Sequence, residues 1–151
     1  MGEDYSTKPR LLYNAKKVVA LDEPLYCYNH TNEGSYTQHF SESRVKNIVQ
    51  AISVLREFFK SKDDYSFYCE SLDYAAISSK VLLLKNWAIS KSSYSIFEEI
   101  KGLYNNIPIS IMHNKIDLFI LVLCKINLPK CLRCFIKIAF YSKSIFKRFL
   151  K

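Results

Sequence analysis

Tight-turn residues are scarce in this sequence. Its 151 residues include only three glycines and four prolines, whereas a sheet-rich fold with many tight turns needs both types often. The scarcity therefore favours long helices. Aromatic residues are abundant, with 11 tyrosines and 10 phenylalanines, so the chain has the apolar side chains that a disordered segment lacks. We expect one domain, or one domain with an appendage, built around a substantial core.

Long apolar segments and secretory features are also missing. The apolar run 118–124 has seven residues and lies between Asp117 and Lys125, which is far short of the ~20 residues that cross a bilayer. The first residues show no basic segment followed by an apolar one. We therefore expect a cytoplasmic protein with reduced thiols.

The five cysteines do not form a regular disulfide framework. Cys131 and Cys134 make a lone CxxC pair, and only His113 and Cys124 lie near enough in the sequence to complete a zinc site. We interpret the pair as packed helix residues rather than as a zinc or redox centre.

Acidic residues are almost absent from the last third of the chain. Residues 101–151 carry 10 Lys and Arg against one acid, a net charge of +9, while residues 1–100 carry 12 against 13, a net charge of −1. Within 130–151 the basic residues, Arg133 among them, interleave with an apolar side that includes Phe135 and Phe146. This pattern predicts a basic amphipathic tail that suits an anionic membrane surface. The alternative is a packed helix with a solvated basic face. Charge confined to one tail, without a recognition motif, argues against a nucleic-acid partner.

Apolar periodicity predicts helices over most of the chain. Apolar residues recur at steps of three and four, and the predicted helices cover 4–17, a stretch of about five turns from Ser41, 63–90, 96–104, 110–126 and 130–149. After the first helix, the β-branched run 18–21 and the segment 25–28 are separated by Asp22, Glu23 and Pro24. They predict a short strand pair near residues 18–29. The expected fold is mainly α, a bundle-like unit of about five to six helices with this one strand pair.

Residues 2–37 follow an order that is more specific than any single motif. Gly2, Glu3 and Asp4 open the first helix, and the segment NAKKVVALDEPLYCYNHTNEGSYT follows. This order resembles the end of the catalytic domain in inverting family-2 glycosyltransferases of the bacterial surface-polysaccharide type. The resemblance implies that residues 1–38 close a Rossmann-like catalytic domain and that residues 39–151 form a variable helical C-terminal region.

The resemblance also implies a reaction and its residues. A sugar would pass from a nucleotide-sugar to a glycan acceptor with inversion, in cell-surface polysaccharide synthesis. Asp4, beside Glu3 in the motif, would be the general base that takes the proton of the acceptor hydroxyl. His30 would ligate the donor's Mg²⁺ or Mn²⁺ or contact its diphosphate, and Gly34 and Ser35 would shape the loop over the donor. From spacing alone, Glu3 and Asp4 are ordinary acids of a helix start, and His30 is a loop histidine without a task.

The sequence departs from the family in one respect. Family members carry an Asp-x-Asp metal motif in the preceding nucleotide-binding half, and this sequence has none. We therefore expect a C-terminal fragment of such an enzyme, or a truncated relative, that is inactive and binds no cofactor without that half. The basic tail would place it peripherally at the inner face of the membrane.

A second interpretation belongs to a different class of protein. In it the chain is a non-catalytic helical interaction module or membrane-peripheral module, and the Glu3-Asp4 pair is incidental. Under the glycosyltransferase interpretation, strand edges and apolar surface are left uncovered. Because such surfaces invite self-association, we also expect a homodimer.

Overall fold

The computed structural model describes residues 3–25 and 40–149, with side chains described for 4–25 and 40–139. Within these ranges the chain is mainly helical, which confirms the predicted bundle-like fold. Its six α-helices and one 3₁₀ turn are α1 (Glu3–Asn14), α2 (Glu42–Lys60), α3 (Tyr65–Ile89), α4 (Tyr94–Gly102), the 3₁₀ turn (Ile109–Ile111), α5 (Lys115–Lys125) and α6 (Pro129–Phe149).

Helix α3 is the centre of the bundle. It packs against α2, α4, α5, α6 and the 3₁₀ turn, and a helix with neighbours on several sides needs apolar residues all round rather than on one stripe. Leu83, Leu84 and Trp87 of α3 are almost fully buried. Phe97 of α4 and Leu132 of α6 complete the same cluster.

Ion pairs join α3 to two of its neighbours. The Arg56 guanidinium of α2 contacts the Asp73 carboxylate of α3. Lys85 Nζ of α3 lies 2.5 Å from Asp117 Oδ1 of α5. Because the side chains are partly exposed, each pair adds little free energy and mainly fixes how the helices face each other.

The connections between the later helices use specific caps. Asn114 Oδ1 accepts hydrogen bonds from the backbone N–H groups of Ile116 and Asp117, at 2.9 and 3.2 Å, and so begins α5. Asn127 ends α5 with a positive φ of 59°, a conformation that asparagine tolerates better than most residues. Pro129 then begins α6, where a missing N–H costs nothing.

The predicted strand pair is wrong over residues 18–25, which contain neither strand nor helix. The rest of that prediction, residues 26–29, lies outside the described residues. β-branched residues such as Val18 and Val19 favour a strand only when a second strand supplies hydrogen bonds. Residues 16–25 make no hydrogen bond to any described residue. The β-branched residues therefore have no partner strand among the described residues, and no strand forms.

Candidate functional site

The carboxylate of Asp4 stands at the N-terminal end of α1. Glu3 begins the helix and Asp4 lies in its first turn, with the Asp4 side chain exposed. No salt bridge joins Asp4 to any described residue. Asp4 is thus an exposed acid in the first turn of a helix.

The opposite end of α1 is held against α2 and α3 by Tyr13. Its ring makes edge-to-face contacts with Phe58, Phe59 and Tyr68, with centroid distances of 5.6, 5.4 and 5.9 Å. Its hydroxyl donates a hydrogen bond of 3.1 Å to Asp64 Oδ1. Burial, followed by this bond, raises the pKa of Tyr13. Tyr13 therefore anchors the C-terminal end of α1 against α2 and α3.

The remaining predicted site residues cannot be placed beside Asp4. His30, Gly34 and Ser35 lie outside the described residues, as does Gly2. Among the residues that are described, no group of three or more His, Cys, Asp and Glu side chains converges as a metal site would require. Asp4 lies at a helix start, and its role, like those of the donor-side residues, stays a prediction.

An apolar groove lies between α1, α2 and α3. Its volume is about 410 Å³, and its walls include Leu12, Tyr13, Leu55 and Leu72. This groove has no signature in the sequence, because it forms only where three helices meet.

A second cavity, of about 370 Å³, is lined by basic side chains that sequence analysis missed. Lys80, Lys101 and Lys125 contribute to its walls. Lys80 is only 6% exposed, and its ammonium donates hydrogen bonds to the carbonyls of Lys101 and Leu103, at 2.8 and 2.7 Å, and to Asn105 Oδ1 at 3.0 Å. Burial lowers the pKa of Lys80. All three ammonium protons of Lys80 are donated to acceptors within the protein, so Lys80 caps the carbonyls at the end of α4 and has no proton left to bind a ligand.

The first turns of the basic helix α6 pack against the core of the protein. Leu132 and Ile136 are buried in the main core. Arg133, predicted to lie on the basic outer side, instead stacks its guanidinium 4.0 Å from the centre of the Trp87 ring and donates to the carbonyl of Ser92 at 2.6 Å. Stacking over an indole is favourable for arginine because of the negative face of the ring. Within the described residues, no helix combines the length and apolar character needed to cross a membrane.

The CxxC cysteines are not packed. Cys131 and Cys134 are both exposed on α6, whereas Cys124 of α5 is buried. The interpretation of the pair as packed residues is therefore wrong, because Leu132 and Ile136 occupy the inward face of the helix instead.

Comparison of the chain with protein-family models, with curated proteins and with solved structures finds no match in any of the three.

Proposed function

We propose that this chain is the C-terminal, acceptor-side part of an inverting glycosyltransferase, with Asp4 as the general base. The observation that carries the proposal is the position of Asp4, an exposed carboxylate in the first turn of the helix that begins within the Gly-Glu-Asp motif, with no salt bridge to any described residue. Inverting transfer needs one such base within hydrogen-bond reach of the acceptor hydroxyl. It forms no covalent intermediate and so needs no second carboxylate nucleophile.

The donor half of the reaction is supplied elsewhere in this proposal. A nucleotide-sugar with its divalent ion would be bound by a Rossmann-like half, to which residues 1–38 belong as the closing segment. His30 would then reach the diphosphate or its metal, with Gly34 and Ser35 beside it. The product would be a cell-surface polysaccharide, made at the inner face of the membrane.

Donor binding tests whether the nucleotide-sugar is bound by a half of the enzyme outside this chain. We expect no heat when the purified chain is titrated with UDP or UDP-sugars in the presence of Mn²⁺ or Mg²⁺, because the nucleotide half is not in it. Micromolar binding by the chain alone would contradict this part of the proposal. A reading frame upstream of the codon for Met1 that encodes an Asp-x-Asp domain would identify the missing half.

The role of Asp4 is tested in the enzyme assembled with its nucleotide-binding half. Asp4→Asn keeps the shape of the side chain and removes its basicity, so we expect kcat to fall by at least about 100-fold with little change in the KM for the donor. Asp63→Asn, a change at another exposed acid, serves as the matched control and should retain activity. Full turnover by the Asp4→Asn enzyme would refute the assignment.

The second candidate is a membrane-peripheral module, favoured by the excess of basic residues in the C-terminal third. Lys130, Lys137 and Ile138 are exposed on α6, whereas Leu132 and Ile136 of the same helix are buried in the core. We expect the chain to sediment with vesicles that contain phosphatidylserine and not with phosphatidylcholine vesicles. Lys130→Glu/Lys137→Glu should weaken this binding. Equal binding to both vesicle types, or to neither, would contradict an electrostatic membrane contact.

A further inference from the structure

The segment that follows α1 is exposed along its whole length. Every residue from 14 to 25 is exposed, and Val18, Val19 and Leu21 are 67%, 66% and 66% exposed. Residues 16–25 make no hydrogen bond to any described residue. Unpaired backbone that carries β-branched side chains pairs readily with another strand.

The order of charges in this segment indicates which strand would pair with it. Residues 16–23 read KKVVALDE, so two basic residues lie at one end, four apolar residues in the middle and two acidic residues at the other end. Two copies aligned antiparallel bring the basic end of each against the acidic end of the other. A parallel alignment would place like charges side by side, which destabilises a strand pair. The segment is therefore complementary to itself.

Symmetry narrows the register of this pairing. A two-fold axis between antiparallel strands places one residue opposite the same residue of the other copy. With Val19 at the axis, Val18 lies opposite Ala20 of the second copy, and Lys16 lies opposite Asp22. Lys17 then lies diagonal to Glu23 on the other face of the ribbon, within reach for long side chains. The pairing ends before Pro24, which has no N–H to donate.

We propose that the chain forms a homodimer through antiparallel pairing of residues 16–22 about a two-fold axis at Val19, with Glu23 of each copy diagonal to Lys17 of the other. The interface is isologous, so its two halves make the same contacts. The proposal is independent of the glycosyltransferase activity, since it rests only on the exposure of this segment, its lack of backbone hydrogen bonds to the described residues, and its charge order. A two-stranded ribbon is marginally stable by itself, so the dimer is reversible and depends on protein concentration.

Paired charge reversals test the proposal by analytical ultracentrifugation from low micromolar to near-millimolar concentration. Wild type should shift from monomer to dimer over this range. Lys16→Glu/Lys17→Glu makes both ends acidic, and Asp22→Lys/Glu23→Lys makes both ends basic, so each variant alone should remain monomeric. An equimolar mixture of the two variants should form a heterodimer, because each end again meets its opposite charge. Dimer formation in the mixture also shows that both variants are folded.

Two further variants separate this interface from a general effect of charge. Lys91→Glu/Lys115→Glu changes the net charge by the same amount at exposed lysines outside the segment, and it should dimerise like wild type. Val18→Pro/Val19→Pro removes two N–H groups that have no described acceptor within the chain, so it should keep its helical circular dichroism and lose the dimer. A wild-type protein that stays monomeric throughout, or a dimer that survives both charge reversals, would overturn the proposal.

Discussion

At the scale of single residues, Lys80 shows how a buried charge is accommodated in this core. Its three hydrogen bonds satisfy two backbone carbonyls near the end of α4 and the side chain of Asn105. A positive charge at the C-terminal end of a helix is also attracted by the negative end of the helix dipole, which stabilises the helix. The lysine therefore joins α3 to α4 through bonds that no apolar side chain can replace.

We expect Lys80→Met to lower the free energy of unfolding by about 2–3 kcal/mol, because it leaves buried acceptors without donors. Lys91→Met, at an exposed lysine, should change it by less than about 0.5 kcal/mol. Urea unfolding followed by circular dichroism measures both. Equal stability of the two variants would show that water replaces the ammonium at no cost.

Cysteine reactivity gives a second residue-scale prediction. Burial raises the pKa of the Cys124 thiol, and the thiolate is the species that alkylating agents attack. Iodoacetamide should therefore modify Cys131 and Cys134 in the native protein and Cys124 only after unfolding, as read by peptide mass spectrometry. Labelling of Cys124 at the native rate of Cys131 would contradict the buried position.

At the scale of helices, Tyr13 is the contact on which the position of α1 depends. Tyr13→Ala removes its contacts with Phe58, Phe59 and Tyr68, and we expect a loss of about 2 kcal/mol confined to the docking of α1. Hydrogen exchange of the α1 amides should become fast while that of α3 stays slow. Tyr13→Phe keeps the ring contacts and loses only the bond to Asp64, so α1 should remain protected. Slow exchange of α1 in the alanine variant would mean that other contacts hold the helix.

Helix prediction succeeded where one apolar face meets the core. In α2, the apolar residues spaced three and four apart, such as Ile48, Ile52 and Leu55, are buried. Pro129 begins α6 as predicted. The predicted helix over 110–126 instead begins at Lys115, because Asn114 caps it and Ile109–Ile111 form a 3₁₀ turn. Periodicity carries no information on such caps, which depend on local hydrogen bonds.

The candidate site was predictable only where it depends on local sequence. The Gly-Glu-Asp order predicted an acid at a helix start, and Asp4 lies in the first turn of α1. Lys80 gave no comparable signal, since its role depends on carbonyls more than 20 residues later in the chain. Arg133 was predicted to face outward because sequence spacing does not reveal that Trp87 lies beside it. Contacts between distant segments require the folded structure.

At the scale of the whole molecule, ionisable groups with raised pKa values set the response to alkaline pH. Burial raises the pKa of Tyr104 above its ordinary value of 10.0 and that of Cys124 above 9.0. The folded protein then keeps protons that the unfolded chain has released. The stability from these groups is complete below about pH 9 and is lost as the pH rises through the folded-state pKa values.

Tyr104→Phe isolates one part of this response. The Tyr104 hydroxyl is buried, and its polar neighbour Ser79 gives its own proton to the carbonyl of Ala76. Removal of the hydroxyl should therefore change the free energy of unfolding by less than about 1 kcal/mol at pH 7. Above pH 10 the variant should become the more stable of the two, since it has no phenol to hold protonated. Parallel urea titrations at pH 7, 9 and about 10.5 measure the difference. A difference that stays constant with pH would show that Tyr104 ionises equally in both states.

The stack of Arg133 on Trp87 has a spectroscopic consequence. Trp87 is the sole tryptophan of the chain, it is 2% exposed, and its indole N–H donates to the carbonyl of Ser93 at 2.9 Å. Its intrinsic fluorescence thus originates from one point, where α3, α4 and α6 meet, and a dry environment shifts that emission to the blue. A red shift would signal the separation of α6 from α3 without any attached label. Detachment of α1, which packs against Phe58, Phe59 and Tyr68 rather than against Trp87, would leave the emission unchanged.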